Sequence, residues 1–165
     1  MSNENKYDLV MFGATGFTGK LVCEYINSKY SDSLNWAIAG RNKDKLENVS
    51  NELGLSVTAI ELDSNNESHV ENVLKQTRLI LTTVGPYQLY GNEIIKKCAE
   101  LGVHYVDLSG EPGWMHLMNE HKAQAQQSGA KIVHSCGFDS IPSDLGVLFL
   151  QNEAKNKHGR PYANV

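Results

Sequence analysis

Three glycines spaced three residues apart mark the part of this sequence best suited to a chemical task. Gly13, Gly16 and Gly19 lie within the segment DLVMFGATGFTGKLVC, residues 8–23. Without a Cβ, such residues allow a tight turn, let the backbone approach a pyrophosphate and bring a helix close to a strand. The pattern predicts a dinucleotide-binding turn. The alternative is a loop in which the glycines only permit the chain to bend.

The predicted elements on either side of the glycines favour the dinucleotide-binding interpretation. Residues 9–12 form an apolar run typical of a buried strand, and residues 18–30 carry an apolar helical face. The first N–H groups of that helix would face the phosphates at the positive end of the helix dipole. The residues that we expect to contribute are Gly13, Ala14, Thr15, Gly16, Phe17, Thr18 and Gly19.

The end of the second predicted strand, residues 34–39, indicates which dinucleotide is bound. In this class of sheet an acidic residue there pairs with the ribose 2′-hydroxyl of NAD, whereas an arginine receives the 2′-phosphate of NADP. The position reads Gly40-Arg41 and holds no acid. The sequence therefore predicts NADP rather than NAD as the cofactor, with Gly40 and Arg41 in its site. The alternative is a solvated basic turn.

Two more predicted strands end in residues that would border the same crevice. Asp63 follows the third strand, where a carboxylate can meet the adenine edge, although Asp beside Ser and Asn is equally suited to a turn. Val84, Gly85 and Pro86 end the fourth strand. Because this is the carboxyl edge of the sheet, we expect their backbone to border the nicotinamide ribose.

Polar residues at the ends of the last two strands do not define a catalytic group. Asp107, Ser109 and Glu111 follow the fifth strand, and Asp139 and Ser140 follow the sixth, but caps and turns use the same residue types. The segment GFDSI, residues 137–141, lacks the G-x-S-x-G pattern of a hydrolase nucleophile, and the histidines lack the spacing of a zinc helix. Catalytic residues stay unassigned, and no metal site is predicted.

The chain alternates between short apolar runs and helical periodicities. The predicted strands are residues 9–12, 34–39, 57–62, 79–84, 103–108 and 130–135. Helices are expected at residues 18–30, 42–53 with Asn42 as its cap, 70–74, 92–101, 114–125 and 141–150. Strands that alternate with helices predict an α/β fold, a doubly wound parallel sheet of the Rossmann type with the order 3-2-1-4-5-6.

Length and composition limit the classes of protein to consider. With 165 residues, 41% of them hydrophobic, the chain is long enough for one domain with a sizeable core. The net charge of −4 and the lack of a basic run argue against a nucleic-acid partner. A polar N-terminus and the lack of a long apolar segment lead us to expect a cytoplasmic protein, with Cys23, Cys98 and Cys136 as reduced thiols.

Five blocks of sequence together resemble the N-terminal part of the saccharopine dehydrogenase-like oxidoreductases, the family that also includes the trans-acting enoyl reductases of lipid synthesis. The blocks are GATGFTGKLV (13–22), AGRN (39–42), VGPYQLYG (84–91), YVDLSGE (105–111) and CGFDSIPSDLG (136–146). The resemblance implies a Rossmann domain for NAD(P), which we assign to residues 1–150. In full-length relatives a second domain for substrate binding and dimerisation follows.

The resemblance also implies what these residues lack. We expect residues 151–165 to be a linker or the start of a second domain that is absent from this sequence. The sequence would then be either a fragment or a naturally short protein. That domain would bind most of the small-molecule substrate, so the chain alone would bind cofactor without turnover. Some relatives associate with lipid droplets or membranes, and a homodimer is a further expectation. The substrate and the direction of the reaction stay open.

Two interpretations besides a hydride-transfer enzyme are compatible with the sequence. A non-catalytic redox sensor would use the same fold to report the NADPH/NADP ratio to a partner protein. A scaffold would leave the crevice unused, but it would have no physical need for the glycine turn or for Arg41.

Overall fold

One parallel sheet of six strands organises the chain in a computed structural model that describes residues 6–164. The order β3-β2-β1-β4-β5-β6 confirms the predicted doubly wound arrangement. The sheet changes its direction of growth between β1 and β4, which is where parallel sheets of this kind open a crevice. The strands are β1 (Tyr7–Phe12), β2 (Trp36–Gly40), β3 (Thr58–Glu61), β4 (Thr77–Thr82), β5 (His104–Asp107) and β6 (Ile132–Val133).

Eight helices connect and cover these strands within residues 6–164. They are α1 (Phe17–Tyr30), α2 (Lys43–Glu52), α3 (Glu67–Leu74), α4 (Tyr87–Tyr90), α5 (Asn92–Leu101), α6 (Pro112–Met118), α7 (Lys122–Ser128) and α8 (Ile141–His158). Asparagine side chains cap two of them: Asn42 accepts a hydrogen bond from the Lys45 amide at 2.9 Å, and Asn66 accepts one from the His69 amide at 3.2 Å. The predicted cap at Asn42 is therefore confirmed.

The sheet separates two apolar clusters. Met11 and Ile38 pack with Cys23 of α1 and Leu46 of α2 on one face. The larger cluster on the other face joins strand residues to α3, α5 and α6; its fully buried members include Val10, Ile80, Ile95, Cys98 and Tyr105. Since both faces of a parallel sheet are covered, its strands read as continuous apolar runs rather than as alternating ones.

The three cysteines are free thiols, as predicted. Cys23 and Cys98 are buried, and Cys136 is half-buried. Burial in apolar surroundings, with a smaller contribution from Glu24, raises the pKa of Cys23 to about 12. Both buried thiols therefore act as small apolar core residues.

Several element boundaries differ from those predicted from the sequence. The helix expected over residues 114–125 is broken by a 3₁₀ turn at Asn119–His121, and α4 was not predicted because four residues carry no visible periodicity. The predicted sixth strand, residues 130–135, is reduced to Ile132–Val133. The helix end predicted at Leu150 is wrong, since α8 continues through a Glu153–Lys157 ion pair at 3.0 Å to a left-handed Gly159.

α8 leaves most of its apolar side chains in contact with solvent. Ala154 is the one buried residue of this helix, whereas Leu145, Leu148 and Phe149 are 52%, 56% and 64% exposed. A helix that is apolar on several sides normally lies inside a larger core. Across residues 6–164, no helix combines the length and apolarity needed to cross a membrane.

Candidate cofactor site

The turn after β1 leads directly into α1 and leaves the start of that helix without a side-chain cap. Gly13 donates a backbone hydrogen bond to the Ala39 carbonyl at 3.0 Å, which joins the turn to the end of β2. Gly16 precedes α1, and no side chain bonds to the first amides of the helix, in contrast to α2 and α3. Uncapped amides at the carboxyl edge of a sheet suit an anionic ligand.

Two of the three glycines are required by the fold itself. Gly13 has a φ of +102°, and a Cβ there would lie 2.7 Å from Thr83 Oγ1 and 2.8 Å from a methyl group of Val84. A Cβ on Gly19 would overlap the carbonyl oxygen of Gly13, because α1 passes directly over the turn. Both positions therefore bring α1, β1 and the end of β4 into close contact.

Gly16 differs from the other two. Its φ is −81°, which any residue adopts, and a Cβ there would meet only the Gly13 carbonyl oxygen at the ordinary distance of 3.5 Å. Thr15, Phe17 and Thr18 are exposed beside it, whereas Ala14 is buried. The fold has no steric need for glycine at position 16, and its exposed side is open to a ligand.

Arg41 lies at the end of β2, next to the buried Gly40. Its side chain is exposed, and the guanidinium carbon lies 5.9 Å from the centre of the Tyr90 ring at the end of α4. Within residues 6–164 it forms no ion pair, whereas Lys43 lies 3.9 Å from Glu47. The guanidinium therefore keeps its charge and its N–H donors available at the edge where β2 ends.

The structure places the remaining predicted residues at the same edge of the sheet. Asp63 follows β3, and its Oδ1 accepts a hydrogen bond from the Asn65 amide at 3.0 Å, so its turn-forming role is present. Val84 touches the glycine turn, since its methyl group lies beside the position a Gly13 Cβ would take. The peptide from Gly85 to Pro86, which is cis, continues this exposed loop into α4.

A carboxylate that received no role from the sequence holds this loop in place. Glu111, at the start of α6, accepts hydrogen bonds from the amides of Tyr87 and Gln88 at 2.7 and 2.9 Å. The Tyr87 ring also stacks on Trp114 at 5.6 Å between ring centres. Glu111 acts on residues 23 and 24 positions away, so no local pattern in the sequence reveals it.

Asp107 ties the ends of β5 and β6 together. Its buried carboxylate accepts hydrogen bonds from the Tyr105 hydroxyl at 2.9 Å and from His134 Nδ1 at 2.7 Å. Its other oxygen accepts the amides of Ser109 and Ser135, both at 2.9 Å. Burial alone would raise the pKa of this carboxyl, but the hydrogen bonds from His134 and the two amides lower it below its usual range. Asp107 is therefore an ionised structural anchor.

The hydroxyl of Tyr87 is equally committed to structure. It donates to the Thr82 carbonyl and accepts from the Leu108 amide, both at 3.2 Å. Burial, with added repulsion from Asp107 and Glu111, raises the pKa of Tyr87 to about 12. The hydroxyl stays protonated at neutral pH and bridges the ends of β4 and β5. Asp107 and Tyr87 therefore both act as structural groups at this edge of the sheet.

Comparisons with known proteins agree with this geometry. Residues 9–133 match the family described as saccharopine dehydrogenase NADP binding domain. The sequence is 42% identical over 164 residues to a Caenorhabditis elegans protein named lipid droplet localized protein, covering 94% of this chain and 38% of that one. It is 39% identical over 167 residues to the mouse saccharopine dehydrogenase-like oxidoreductase, covering 92% and 39%.

A solved structure shares the fold at low sequence identity. Apo saccharopine dehydrogenase (L-Glu forming) from Saccharomyces cerevisiae superposes with a TM-score of 0.77 at 18% identity, over 91% of this chain and 32% of that one. The likeness supports the Rossmann architecture. The chain spans less than two fifths of the length of the nematode relative and about two fifths of the mouse one.

The Asp107 anchor predicts a stability that depends on acid pH. We expect Asp107→Asn to lower the free energy of unfolding by about 3 kcal/mol at pH 7, because a buried ionic hydrogen-bond network loses its charge. The folded pKa is lower than the unfolded value of about 3.9, so the contribution is present above that value and is lost as the pH falls through the folded pKa. Urea unfolding at pH 7, 5 and 3 measures this difference.

The matched control for this prediction is Asp139→Asn, at an exposed position in the same region. It should change the free energy of unfolding by less than about 0.5 kcal/mol. A difference between Asp107→Asn and the unsubstituted chain that does not shrink between pH 7 and pH 3 would contradict the prediction.

Proposed function

The chain belongs to the family of saccharopine dehydrogenase NADP binding domains, and we propose that it is the cofactor-binding part of an NADP-dependent oxidoreductase. NADP is the cofactor of this family, while the reaction and its substrate are the proposal. The mouse relative is named an oxidoreductase, which supports hydride transfer as the reaction class. When bound, the nicotinamide supplies the hydride chemistry, and the residues of this chain bind and orient the cofactor.

Gly16 is the observation that carries the proposal. The fold alone explains Gly13 and Gly19, but it leaves glycine at position 16 without a steric reason. A pyrophosphate against the uncapped amides of α1 supplies that reason, because a Cβ on Gly16 would stand between the backbone and the phosphate oxygens. We assign residues 13–19 to this contact.

The other predicted residues extend the proposed site along the carboxyl edge of the sheet. Arg41, beside Gly40, receives the 2′-phosphate of NADP, and Asp63 borders the adenine edge. Val84, Gly85 and Pro86 border the nicotinamide ribose on the other side of the glycine turn. Contact between Val84 and Gly13 supports this order, since it brings the loop after β4 directly against the phosphate-binding turn.

Substrate binding belongs, in our proposal, to a part of the protein beyond this domain. We assign the domain to residues 1–150 and the way toward the remainder to residues 151–165, so α8, which ends at His158, leads out of the domain. Two observations support this division: the chain spans only 38% and 39% of its longer relatives, and α8 exposes apolar side chains such as Leu148 and Phe149. A small-molecule substrate would then meet the nicotinamide between the two parts.

For the longer protein, we also propose association with a lipid surface. The name of the nematode relative places that protein on lipid droplets. The name supports association of the longer protein with a lipid surface. A lipid-related substrate is our proposal for the longer protein as well. The cytoplasm, where lipid droplets are accessible, is the proposed location.

Gly16→Ala separates cofactor binding from folding. The added methyl group should weaken NADPH binding by roughly ten-fold or more, because it crowds the pyrophosphate. It should lower the free energy of unfolding by no more than about 1 kcal/mol, since alanine is only a poorer helix cap than glycine. Isothermal calorimetry and urea unfolding measure the two effects. Gly146→Ala, an uncrowded glycine in α8, is the matched control and should leave NADPH affinity unchanged.

Arg41→Ala tests the cofactor preference. Loss of a charge-assisted hydrogen bond to the 2′-phosphate should lower the ratio of NADPH to NADH affinity by roughly ten- to a hundred-fold. Lys43→Ala removes a neighbouring charge that already lies near Glu47, and it should change the ratio little. Equal NADPH and NADH affinities in the unsubstituted chain would refute the assignment of Arg41.

If substrate is bound by another part of the protein, this chain should bind the cofactor without catalysing a reaction. The 165-residue chain should bind NADP(H) but neither accept a hydride from saccharopine-type substrates nor transfer one to enoyl-type substrates, because we assign substrate binding to a part of the protein beyond this domain. The absorbance of NADPH measures this over hours, starting from NADP⁺ with saccharopine-type substrates and from NADPH with enoyl-type substrates. Turnover by these residues alone would disprove the division.

A further inference from the structure

The contact between Arg41 and Tyr90 connects two parts of the sheet edge that are far apart in sequence. The guanidinium carbon lies 5.9 Å from the centre of the Tyr90 ring, within the range of a cation–π interaction. Within residues 6–164, the Tyr90 ring is the one group that the Arg41 guanidinium contacts in this way, and the guanidinium forms no ion pair there. A long, exposed arginine without a partner would sample many rotamers, so the ring limits where the guanidinium can be.

Tyr90 is itself held in place from both ends of α4. At the start of the helix, Glu111 binds the first two amides. At its end, the Gly91 amide donates to the Tyr87 carbonyl at 2.7 Å, and the ring of Trp114 fills the space that a Gly91 Cβ would need. The ring of Tyr90 therefore projects from a fixed backbone rather than from a loose loop.

A ring is a suitable support for an arginine that must bind phosphate. The contact with Tyr90 uses the positive charge but none of the hydrogen bonds, so all five N–H donors stay available. A carboxylate in the same place would take up two of those donors and neutralise the charge. The contact restricts the side chain while leaving its binding capacity intact.

We propose that Tyr90 is a specificity-determining positioning residue, which holds Arg41 where it can receive the 2′-phosphate of NADP. This inference rests on the proposed function and adds a residue to it. The alternative role for an aromatic side chain at this edge is to stack on the adenine. Adenine is common to NADH and NADPH, so that role would affect both affinities equally, whereas positioning of Arg41 affects NADPH alone.

The test is the ratio of NADPH to NADH affinity, measured by calorimetry. Tyr90→Leu should lower this ratio by roughly two- to five-fold, the effect of one exposed cation–π contact, with NADH affinity unchanged. Tyr90→Phe keeps the ring and should keep the ratio. Tyr30→Leu, at a half-exposed tyrosine at the far end of α1, is the matched control and should change neither affinity.

A double variant distinguishes positioning from an independent contact. If Tyr90 acts through Arg41, the ratio of Arg41→Ala/Tyr90→Leu should equal that of Arg41→Ala alone. A further drop in the double variant, an unchanged ratio in Tyr90→Leu, or an equal loss of NADPH and NADH affinity would each overturn the proposal. If the unsubstituted chain binds neither cofactor, there is no affinity ratio to compare, and the proposed function is overturned together with this inference.

Discussion

The close approach of α1 to the turn after β1 is the contact on which the rest of the sheet edge depends. Because neither Gly13 nor Gly19 has room for a Cβ, the start of α1 lies directly over the end of β1 and beside the end of β4. That position leaves the first amides of α1 facing the crevice instead of a capping side chain. It also brings the loop that begins at Val84 against the turn.

Two buried or half-buried carboxylates hold the opposite half of the edge. Asp107 joins β5 to β6, and Glu111 fixes the first turn of α4. Each accepts hydrogen bonds from two backbone amides, so each serves as a structural anchor. The edge is therefore held by steric contact on one side and by ionic hydrogen bonds on the other.

Local and periodic features of the sequence predict much of this molecule. The glycine spacing, the Asn42 cap and the alternation of strands and helices each depend on nearby residues, and so the strand order 3-2-1-4-5-6 could be derived. Contacts between segments that are distant in the sequence could not be predicted in this way. Glu111 binds a helix more than twenty residues earlier, and Tyr90, after β4, meets Arg41, after β2, on the other side of β1. The length of α8 was underestimated because its last turns are polar and resemble a tail.

The shortness of β6 gives the sheet an uneven resistance to local opening. β1 lies between two neighbours and pairs with β4 from Tyr7 to Phe12, whereas β6 pairs with β5 through Ile132 and Val133, flanked by backbone hydrogen bonds from Tyr105 to Lys131 and from Cys136 to Asp107. Amide protons should therefore exchange slowest in the centre and faster toward β6, where the paired segment is short. We expect the end to which we assign the nucleotide phosphates to open less often than the end beyond β5.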